Sequence, residues 1–308
     1  MSELFNDINK VEDDSNKDVT YAYKPPLAIR MRPTCLDDII GQEKAVKEVS
    51  NIAKKIKLGF SDKCYSFMFC GPSGVGKTKL ALDFGENLVG KSNVIKLDMS
   101  EYKEPHSISK IIGSPPGYIG YDDNTNILEI IRNKPYSVLI LDEIEKAHTN
   151  IINLFLQVLD NGKIKNSRGK EIIFDNVVII MTSNIGFNEA NVGFNKFNLE
   201  NSKLNEDFSI PFMNRVDNII EFNKLSDLEI LKIIEIKLLE LKKKYNDKIN
   251  IKFSKDINKY ILDLTNYEIY GARKIDKIIK DKIEIQIIDK IIDDESSVYI
   301  KDLNQEKV

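Results

Sequence analysis

Continuous apolar runs alternate with helically spaced apolar positions through much of the chain. The runs predict strands at 65–70, 93–98, 137–141, 176–181 and 218–222. Between them, a period of about 3.6 residues predicts helices at 41–58, 79–84, 127–133 and 150–160. Strands that are apolar on both faces are typical of a parallel sheet covered by helices on both sides. The pattern therefore predicts an α/β fold.

The pattern changes after about residue 223. A long amphipathic helix is predicted at 227–245, and two further helices at 255–266 and 271–292. Two short strands are predicted at 250–253 and 297–300. We expect the two strands to pair. We predict three parts: a disordered acidic tail at 1–24, a large domain at 25–223 and a small, mainly helical C-terminal domain at 224–308.

Composition and charge narrow the class of protein. The chain has 308 residues and a net charge of −3, which argues against a nucleic-acid partner held by charge. No apolar run reaches membrane-spanning length, so no membrane partner is expected. The three cysteines, Cys35, Cys64 and Cys70, lack metal-site spacing and predict reduced thiols. We expect a cytoplasmic protein, from a bacterial or phage-infected cell or from the stroma of an organelle.

The segment Gly71-Pro72-Ser73-Gly74-Val75-Gly76-Lys77-Thr78 fits the pattern of a phosphate-binding loop. Its glycines let backbone N–H groups surround phosphate oxygens. Lys77 can reach the terminal phosphates, and the Thr78 hydroxyl can bind Mg²⁺. The preceding apolar strand and the following helix are the context that such a loop needs. A glycine-rich turn without a ligand is the alternative.

Two acidic residues, Asp142 and Glu143, end the predicted strand 137–141. With a phosphate loop upstream, Asp142 is a candidate to hold Mg²⁺, and Glu143 is a candidate general base for the attacking water. An acidic turn at the end of a strand is the alternative. Because the carboxyl ends of parallel strands share one edge of the sheet, these residues can meet the phosphate loop there.

Three further polar side chains are candidates for phosphate chemistry. Asn184 follows the strand 176–181, and an amide at that place can hold the attacking water. Arg215 and Arg273 can supply planar, permanently charged donors to phosphate oxygens. Asparagine is also a common turn residue, and a single arginine is more often a partner in a surface ion pair. Spacing alone leaves these alternatives open.

Several motifs in a fixed order resemble the AAA+ ATPases, and within them the C-terminal ATPase ring of the Clp unfoldases of the ClpA or ClpC type. The resemblance covers residues 41–303. Besides the phosphate loop, the matching segments are Asp98-Met99-Ser100-Glu101-Tyr102, 113–121, 141–148, 156–162, Thr182-Ser183-Asn184, Asn214-Arg215-Val216-Asp217 and Gly271-Ala272-Arg273. The resemblance implies a P-loop domain with a parallel sheet between helices, plus a small helical lid domain.

The resemblance also implies cofactors and roles. ATP and Mg²⁺ are expected, with Ile40 beside the adenine, Asn184 as sensor 1 and Arg273 as sensor 2. Arg215 is expected to be an arginine finger that reaches the ATP of a neighbouring subunit, so that hydrolysis depends on a homo-hexamer.

Two loops are implied to contact other proteins. The family's first pore loop matches Gly117-Tyr118-Ile119-Gly120, where Tyr118 would grip unfolded polypeptide. A tyrosine packed on its own domain is the alternative. Val192-Gly193-Phe194 resembles the tripeptide with which protease-associated Clp unfoldases dock on a Clp-type peptidase. For this segment, the alternative is an apolar anchor that ties the loop to its own domain.

The chain also departs from the Clp pattern. The segment 32–42 is more similar to that of clamp loaders and branch-migration motors, and Phe208-Ser209-Ile210-Pro211-Phe212 lacks the usual Pro-Glu-Phe. We predict an ATP-hydrolysing protein unfoldase that threads substrates through a hexamer pore into a Clp peptidase. The alternatives are a nucleic-acid-associated ATPase of the clamp-loader or helicase-loader type, and an ATP-binding regulatory module without hydrolysis.

Overall fold

The computed structural model describes residues 39–57, 64–114, 126–184, 208, 210–267 and 271–301. Five parallel strands form the main sheet in the order β2-β3-β6-β1-β7. They are β1 (Tyr65–Cys70), β2 (Val94–Asp98), β3 (Ser137–Asp142), β6 (Val177–Ser183) and β7 (Asn218–Glu221). A short antiparallel hairpin, β4 (Lys163–Lys165) and β5 (Glu171–Ile173), lies between β3 and β6 in the sequence.

Helices connect these strands and cover the sheet. In this part of the chain they are α1 (Glu43–Lys57), α2 (Lys77–Val89), α3 (Ser109–Ile112), α4 (Ile127–Asn133), α5 (Thr149–Asn161) and α6 (Ile210–Met213). Three short 3₁₀ turns follow α2 and β2, at Lys91–Asn93, Met99–Tyr102 and Pro105–Ile108. A fourth, Ile144–Lys146, follows β3.

Alternate residues of the central strand β1 face two different apolar cores. Phe67 and Phe69 belong to one core, which includes residues of α2 and of the C-terminal helices, whereas Met68 and Cys70 belong to a second core, which includes residues of α4 and α5. All four side chains are fully buried. Burial on both faces explains why the strand is apolar from Phe67 to Cys70, and the structure confirms the predicted parallel sheet between helices.

The strand register brings the predicted site residues to one edge of the sheet. Asp98 of β2 lies opposite Asp142 of β3, and Cys70 of β1 lies opposite Ser183 of β6. After these positions the chain leaves the sheet: β1 leads into the phosphate loop, β3 into Glu143 and β6 into Asn184. The edge predicted from the strand ends is therefore the edge where these segments meet.

The C-terminal part is small and mainly helical, as predicted. Its elements are α7 (Asp227–Tyr245), β8 (Asn250–Phe253), α8 (Ile257–Thr265), α9 (Arg273–Ile278), a π-helical segment (Ile279–Glu284), α10 (Ile285–Ile292) and β9 (Ser297–Ile300). Strands β8 and β9 pair in parallel, so the predicted pairing is confirmed. A capping box starts α7: the Ser226 hydroxyl and the Glu229 carboxylate each bind the other's backbone N–H.

The described residues leave some predictions outside their range. The tail 1–24 and the segment before Ile39 are among them, and the three-part division stays a prediction. The pore loop 117–120 and the tripeptide 192–194 also lie outside the described residues. None of the helices in the described segments combines the length and the apolar character that crossing a membrane would require.

Candidate active site

The phosphate loop joins β1 to α2. Gly76 is the residue before the helix and has a φ of +105°, a region that glycine enters without a Cβ penalty. No side chain caps this end of α2. The first backbone N–H groups of a 13-residue helix are therefore left for another acceptor, as an anion site requires.

Lys77 is buried, and its ammonium group makes three hydrogen bonds. Nζ donates to the carbonyl oxygens of Gly71 and Pro72 at 2.7 and 2.6 Å, and to Asn184 Oδ1 at 2.9 Å. Burial lowers the pKa of Lys77 to about 8. The nearby charge of Glu145 acts in the opposite direction and raises it. The loop lysine and the predicted sensor asparagine are thus in direct contact.

Asp142 collects three donors at the end of β3. Its Oδ1 accepts from the hydroxyls of Thr78 and Thr182, each at 2.7 Å, and its Oδ2 lies 2.8 Å from Lys96 Nζ. Burial raises the pKa of Asp142, but these three hydrogen bonds outweigh it, so the pKa lies below its usual value. The carboxylate is therefore ionised at neutral pH.

Thr78 and Asp142 fit the needs of Mg²⁺. Both offer hard oxygen atoms, and their contact places those atoms at one point beside the phosphate loop. Among the described residues, no group of three or more His, Cys, Asp or Glu side chains could hold a metal. A site with two protein oxygens suits Mg²⁺, which usually keeps several waters and binds substrate phosphates.

Glu143 adopts a left-handed backbone conformation, with a φ of +55°. Its N–H donates to Thr182 Oγ1 at 3.0 Å, and its carbonyl accepts from the N–H of Lys146 at 2.8 Å. Such a conformation costs free energy in a non-glycine residue and occurs preferentially at functional sites. The Glu143 carboxylate lies 3.5 Å from Arg273 Nη2, so α9 of the small domain contributes a cation to the site.

Asn184 directly follows β6 and forms a second set of contacts. Its backbone N–H and its side-chain Nδ2 both donate to Glu145 Oε1, each at 3.1 Å. Its Oδ1 accepts from Lys77, as described above. The predicted sensor is therefore connected to the phosphate loop on one side and to the turn after Glu143 on the other.

A pocket of about 280 Å³ joins these groups. The loop residues from Gly74 to Lys79, Asp142, Glu143, Asn184 and Arg273 line it. Apolar residues also line it, namely Ile39, Ile40, Leu225, Ile233, Ile236 and Ile275, together with the charged Lys237, Glu240 and Asp276. The pocket thus combines the polar groups of the phosphate loop with apolar side chains that include Ile40, the residue expected beside the adenine.

The small domain closes directly on the phosphate loop. The N–H of Ala272 donates to the carbonyl of Gly74 at 3.0 Å. Gly271 has a φ of +55°, and a Cβ there would lie 2.5 Å from the Ser73 carbonyl oxygen. Glycine is required at this position by both its backbone conformation and its close contact.

Arg215 lies outside the pocket, and Gly71, Pro72 and Ser73 at the start of the loop are also absent from its lining. The Nε of Arg215 is ion-paired with Asp160 at the end of α5, and its Nη1 donates to the Pro211 carbonyl at 2.6 Å. The chain's own pocket is therefore formed without the predicted arginine finger. This is the geometry that a finger acting on a neighbouring subunit requires, although the role stays a prediction.

Three residues in or beside the site were missed by motif reading. Lys96 lies in the middle of β2. Thr182 lies two positions before Asn184, and Glu145 lies two positions after Glu143. Lys96 lies two residues before Asp98 in β2, so both side chains lie on the same face of the strand. Asp98 is paired with Asp142 of β3, and this register brings Lys96 near Asp142. Thr182 and Glu145 both lie inside segments that resemble the Clp pattern. Their partners, Asp142 and Asn184, are 40 and 39 positions away in the sequence.

Two family models match this chain, one over the large domain and one over the small C-terminal part. Residues 62–219 match the family described as "AAA domain (Cdc48 subfamily)", and residues 225–302 match "C-terminal, D2-small domain, of ClpB protein". The chain belongs to the AAA+ family. Within this family it is homologous to the C-terminal ATPase module of ClpB and Hsp104.

Several relatives are chaperone proteins of the ClpB type. The ClpB of Clostridium tetani is 40% identical over 276 residues, covering 86% of this chain and 32% of the relative. ClpB of Malacoplasma penetrans is 42% identical, covering 83% of this chain and 37% of the relative. The mitochondrial ClpB4 of Arabidopsis thaliana is 38% identical, covering 81% and 28%. The chain spans about a third of the length of these relatives.

A solved structure shares the fold. A closed-state cryo-electron-microscopy reconstruction of Hsp104 with ATPγS and FITC casein matches with a TM-score of 0.75 and 32% sequence identity. The match covers 86% of this chain and 48% of that chain. The AAA+ fold and the Clp resemblance are confirmed. The relatives named here are of the ClpB type, and they give no support to the peptidase expected from the ClpA or ClpC type.

Proposed function

We propose that this AAA+ protein binds and hydrolyses ATP and uses the energy to remodel or unfold polypeptides. The observation that carries the proposal is the convergence of Lys77, Asp142, Glu143 and Asn184 on one pocket with Arg273 at its lid. These side chains come from four separate segments of the chain, and each supplies a group that phosphoryl transfer needs. A ligand-binding module without hydrolysis needs no group at the place of Glu143.

The binding step follows from the contacts of Lys77. Its three hydrogen bonds use all three protons of the ammonium group, so a phosphate oxygen replaces one or more of these acceptors. Ser73, Val75 and the other loop residues offer backbone N–H groups to the same phosphates. Ile40 and the other apolar residues that line the pocket receive the adenine.

Hydrolysis needs a base and oriented donors. Glu143 accepts a proton from the attacking water, and Asn184 holds that water against the terminal phosphate. Arg273 donates to phosphate oxygens, which requires it to exchange its contact with Glu143. Mg²⁺, held by Thr78 and Asp142, would neutralise phosphate charge.

A ring is part of the proposal. Arg215 lies outside its own pocket, so a second copy of the chain supplies the finger, and a closed hexamer gives every pocket one. The related Hsp104 structure was determined with FITC casein, which supports an unfolded polypeptide as the substrate class. Tyr118 and its neighbours Gly117, Ile119 and Gly120 would line the pore.

The peptidase partner is the most specific part of the proposal, and only the sequence supports it. Val192-Gly193-Phe194 is the segment that would dock on a Clp-type peptidase. The relatives of the ClpB type do not support this partner. A ClpB-type module that acts without a peptidase is the direct alternative, and deletion of the tripeptide separates the two.

The decisive experiment measures Mg²⁺-dependent ATP hydrolysis by the 308-residue chain over a range of chain concentrations. We expect turnover per chain to rise with concentration, and sedimentation to give a larger assembly with ATP for Glu143→Gln. An unfolded casein should stimulate turnover, and single-stranded DNA should not. Stimulation by DNA alone would favour the nucleic-acid-associated alternative, and absence of turnover at every concentration would contradict the proposal.

A further inference from the structure

Glu145 lies directly behind the predicted sensor residue. It belongs to the 3₁₀ turn Ile144–Lys146, two residues after Glu143. Its Oε1 accepts two hydrogen bonds from Asn184, one from the backbone N–H and one from Nδ2, each at 3.1 Å. Asn184 lines the pocket, whereas Glu145 is not among the residues that line it. The hydrogen bonds of Glu145 to the pocket therefore run through Asn184, and its charge also acts on Lys77, whose pKa it raises.

The contacts of Asn184 admit one orientation of its amide group. Lys77 Nζ can only donate, and it contacts Oδ1 at 2.9 Å. The Glu145 carboxylate can only accept, and it contacts Nδ2. Rotation of the amide by 180° would oppose donor to donor and acceptor to acceptor. Lys77 and Glu145 together thus fix the orientation of the amide, with Oδ1 toward Lys77 and Nδ2 toward Glu145.

The carboxylate has a cost that packing alone does not explain. Glu145 Oε2 is buried and has no hydrogen-bond partner among the described residues. A buried acceptor without a partner costs free energy, and an ionised one costs more. A neutral or apolar side chain would avoid this cost in the same turn. The acidic group offsets this cost through two contacts: its charge interacts with the buried Lys77 ammonium, and its Oε1 accepts both hydrogen bonds from Asn184.

We propose that Glu145 is a positioning residue that holds the Asn184 amide in the orientation required for ATP hydrolysis. This inference rests on the proposed ATPase function. Glu145 does not contact nucleotide. Its backbone bond anchors the end of β6, and its side-chain bond leaves the second Nδ2 proton of Asn184 for the attacking water.

The test compares four variants of the full chain: Glu145→Ala, Glu145→Gln, Asn184→Ala and the double variant Glu145→Ala/Asn184→Ala. We expect Glu145→Ala to lower kcat about ten- to a hundredfold, as loss of an orienting partner does at other sites. The Kd for a fluorescent ATP analogue and the melting temperature should stay close to those of the wild type. Glutamine keeps an acceptor oxygen of about half the strength, so Glu145→Gln should retain kcat within about fivefold.

The double variant shows whether Glu145 acts through Asn184. If it does, removal of Glu145 costs nothing once the amide is absent, and the double variant matches Asn184→Ala within about twofold. Multiplicative losses would overturn the proposal. A wild-type kcat in Glu145→Ala or in Asn184→Ala would also overturn it, as would a loss in Glu145→Gln equal to that in Glu145→Ala.

A second measurement does not depend on turnover. In the chain labelled with ¹⁵N-asparagine, the Asn184 signals are those that disappear in Asn184→Ala. Glu145→Ala should shift both its backbone and its side-chain signals, and Glu145→Gln should shift them less. The signals of Asn87, which donates to Asp83 at the protein surface, serve as the internal control. Unmoved Asn184 signals would overturn the proposal, whereas a wild-type chain without turnover would count against the proposed function alone.

Discussion

Arg215 forms an ion pair with Asp160 of its own chain. The side chains of the two residues are 36% and 37% exposed, so water screens the pair. Exposed ion pairs contribute about 0–1 kcal/mol, which is at most about a fivefold effect on an equilibrium. A residue that reaches a neighbouring subunit has to leave its resting partner, and this partner releases it at little cost.

The first prediction compares the two members of that pair. Arg215→Ala should bind nucleotide but lose about 10³-fold or more in turnover, since an arginine supplied in trans contributes that much. Asp160→Asn should change turnover less than about fivefold, because it weakens only an exposed ion pair. Steady-state ATPase rates decide this, with Glu171→Gln, which breaks the exposed Lys163–Glu171 pair, as the matched control.

Mixed assemblies test whether the finger acts on another subunit. Arg215→Ala and Glu143→Gln subunits carry defects that can lie in different pockets, so mixing them should restore part of the turnover. Failure of rescue, after mixing has been verified, would contradict a finger in trans. A loss in Asp160→Asn as large as that in Arg215→Ala would mean that Asp160 takes part in the chemistry.

The second prediction concerns the base. Glu143→Gln should keep nucleotide binding but lose about 10²–10⁴-fold in kcat, because the amide accepts no proton from water. Lys77→Ala should instead lose binding, because the phosphate loop loses the ammonium group that contacts it and can reach the terminal phosphates. Binding of a fluorescent ATP analogue and release of phosphate measure the two steps. Lys91→Ala, an exposed lysine beyond α2, is the control, and wild-type hydrolysis by Glu143→Gln would refute the assignment.

The third prediction concerns the contact between the small domain and the phosphate loop. A Cβ at Gly271 would lie 2.5 Å from the Ser73 carbonyl oxygen and 2.8 Å from Gly74 Cα, and these backbone atoms cannot move cheaply. Gly271→Ala should weaken nucleotide binding more than about tenfold, which is a loss of about 1.4 kcal/mol. Titration with a fluorescent ATP analogue measures this.

Gly169→Ala is the matched control for Gly271→Ala. Gly169 also has a positive φ, +75°, but a Cβ there would meet nothing within 4 Å. Both variants should lose about 1–2 kcal/mol of unfolding free energy through the backbone conformation. Only Gly271→Ala should lose nucleotide affinity. Equal affinities in the two variants would mean that closure of the small domain on the loop does not contribute to binding.

The fourth prediction separates substrate grip from ATP use. Tyr118→Ala should hydrolyse ATP at a substantial rate but fail to unfold a tagged stable domain, because the aromatic ring would contact polypeptide and not nucleotide. Tyr118→Phe keeps the ring and should retain unfolding. Loss of hydrolysis in Tyr118→Ala would indicate a structural tyrosine, and full unfolding by the same variant would exclude it from the grip.

The fifth prediction tests for a peptidase. Deletion of Val192-Gly193-Phe194 should spare hydrolysis and unfolding and abolish only degradation in the presence of a Clp-type peptidase. The measurements are a degradation assay with peptidase and an unfolding assay without it. Loss of unfolding would mean that the segment ties the loop to its own domain. Degradation that is unchanged by the deletion, or absent from the wild type, would leave a chaperone of the ClpB kind.

Much of the fold could be predicted from periodicity. Helix 227–245 and strand 65–70 have the predicted bounds, because long helical periods and fully apolar strands are strong local signals. The hairpin β4–β5 was not predicted, because two strands of three residues each are too short to show a period. The 3₁₀ turn after β3 was also missed, and Glu145 was missed with it.

The sequence by itself determined the chemistry that the pocket can hold. The spacing of Gly71 to Thr78, the acidic pair after an apolar strand and Asn184 after the next strand are local patterns, and each residue type carries its reactivity with it. Parallel strands alone were enough to predict that these groups share an edge.

Only the tertiary structure decided which groups touch. Glu145 and Asn184 are 39 positions apart, and Arg273 reaches Glu143 across 130 positions. Lys96 reaches Asp142 because two strands pair in one register, and Arg215 binds Asp160 and lines no part of its own pocket. Such contacts depend on strand register and on the closure of one domain over another. Because no local period or motif encodes them, the partners of the candidate site residues emerge only from the folded chain.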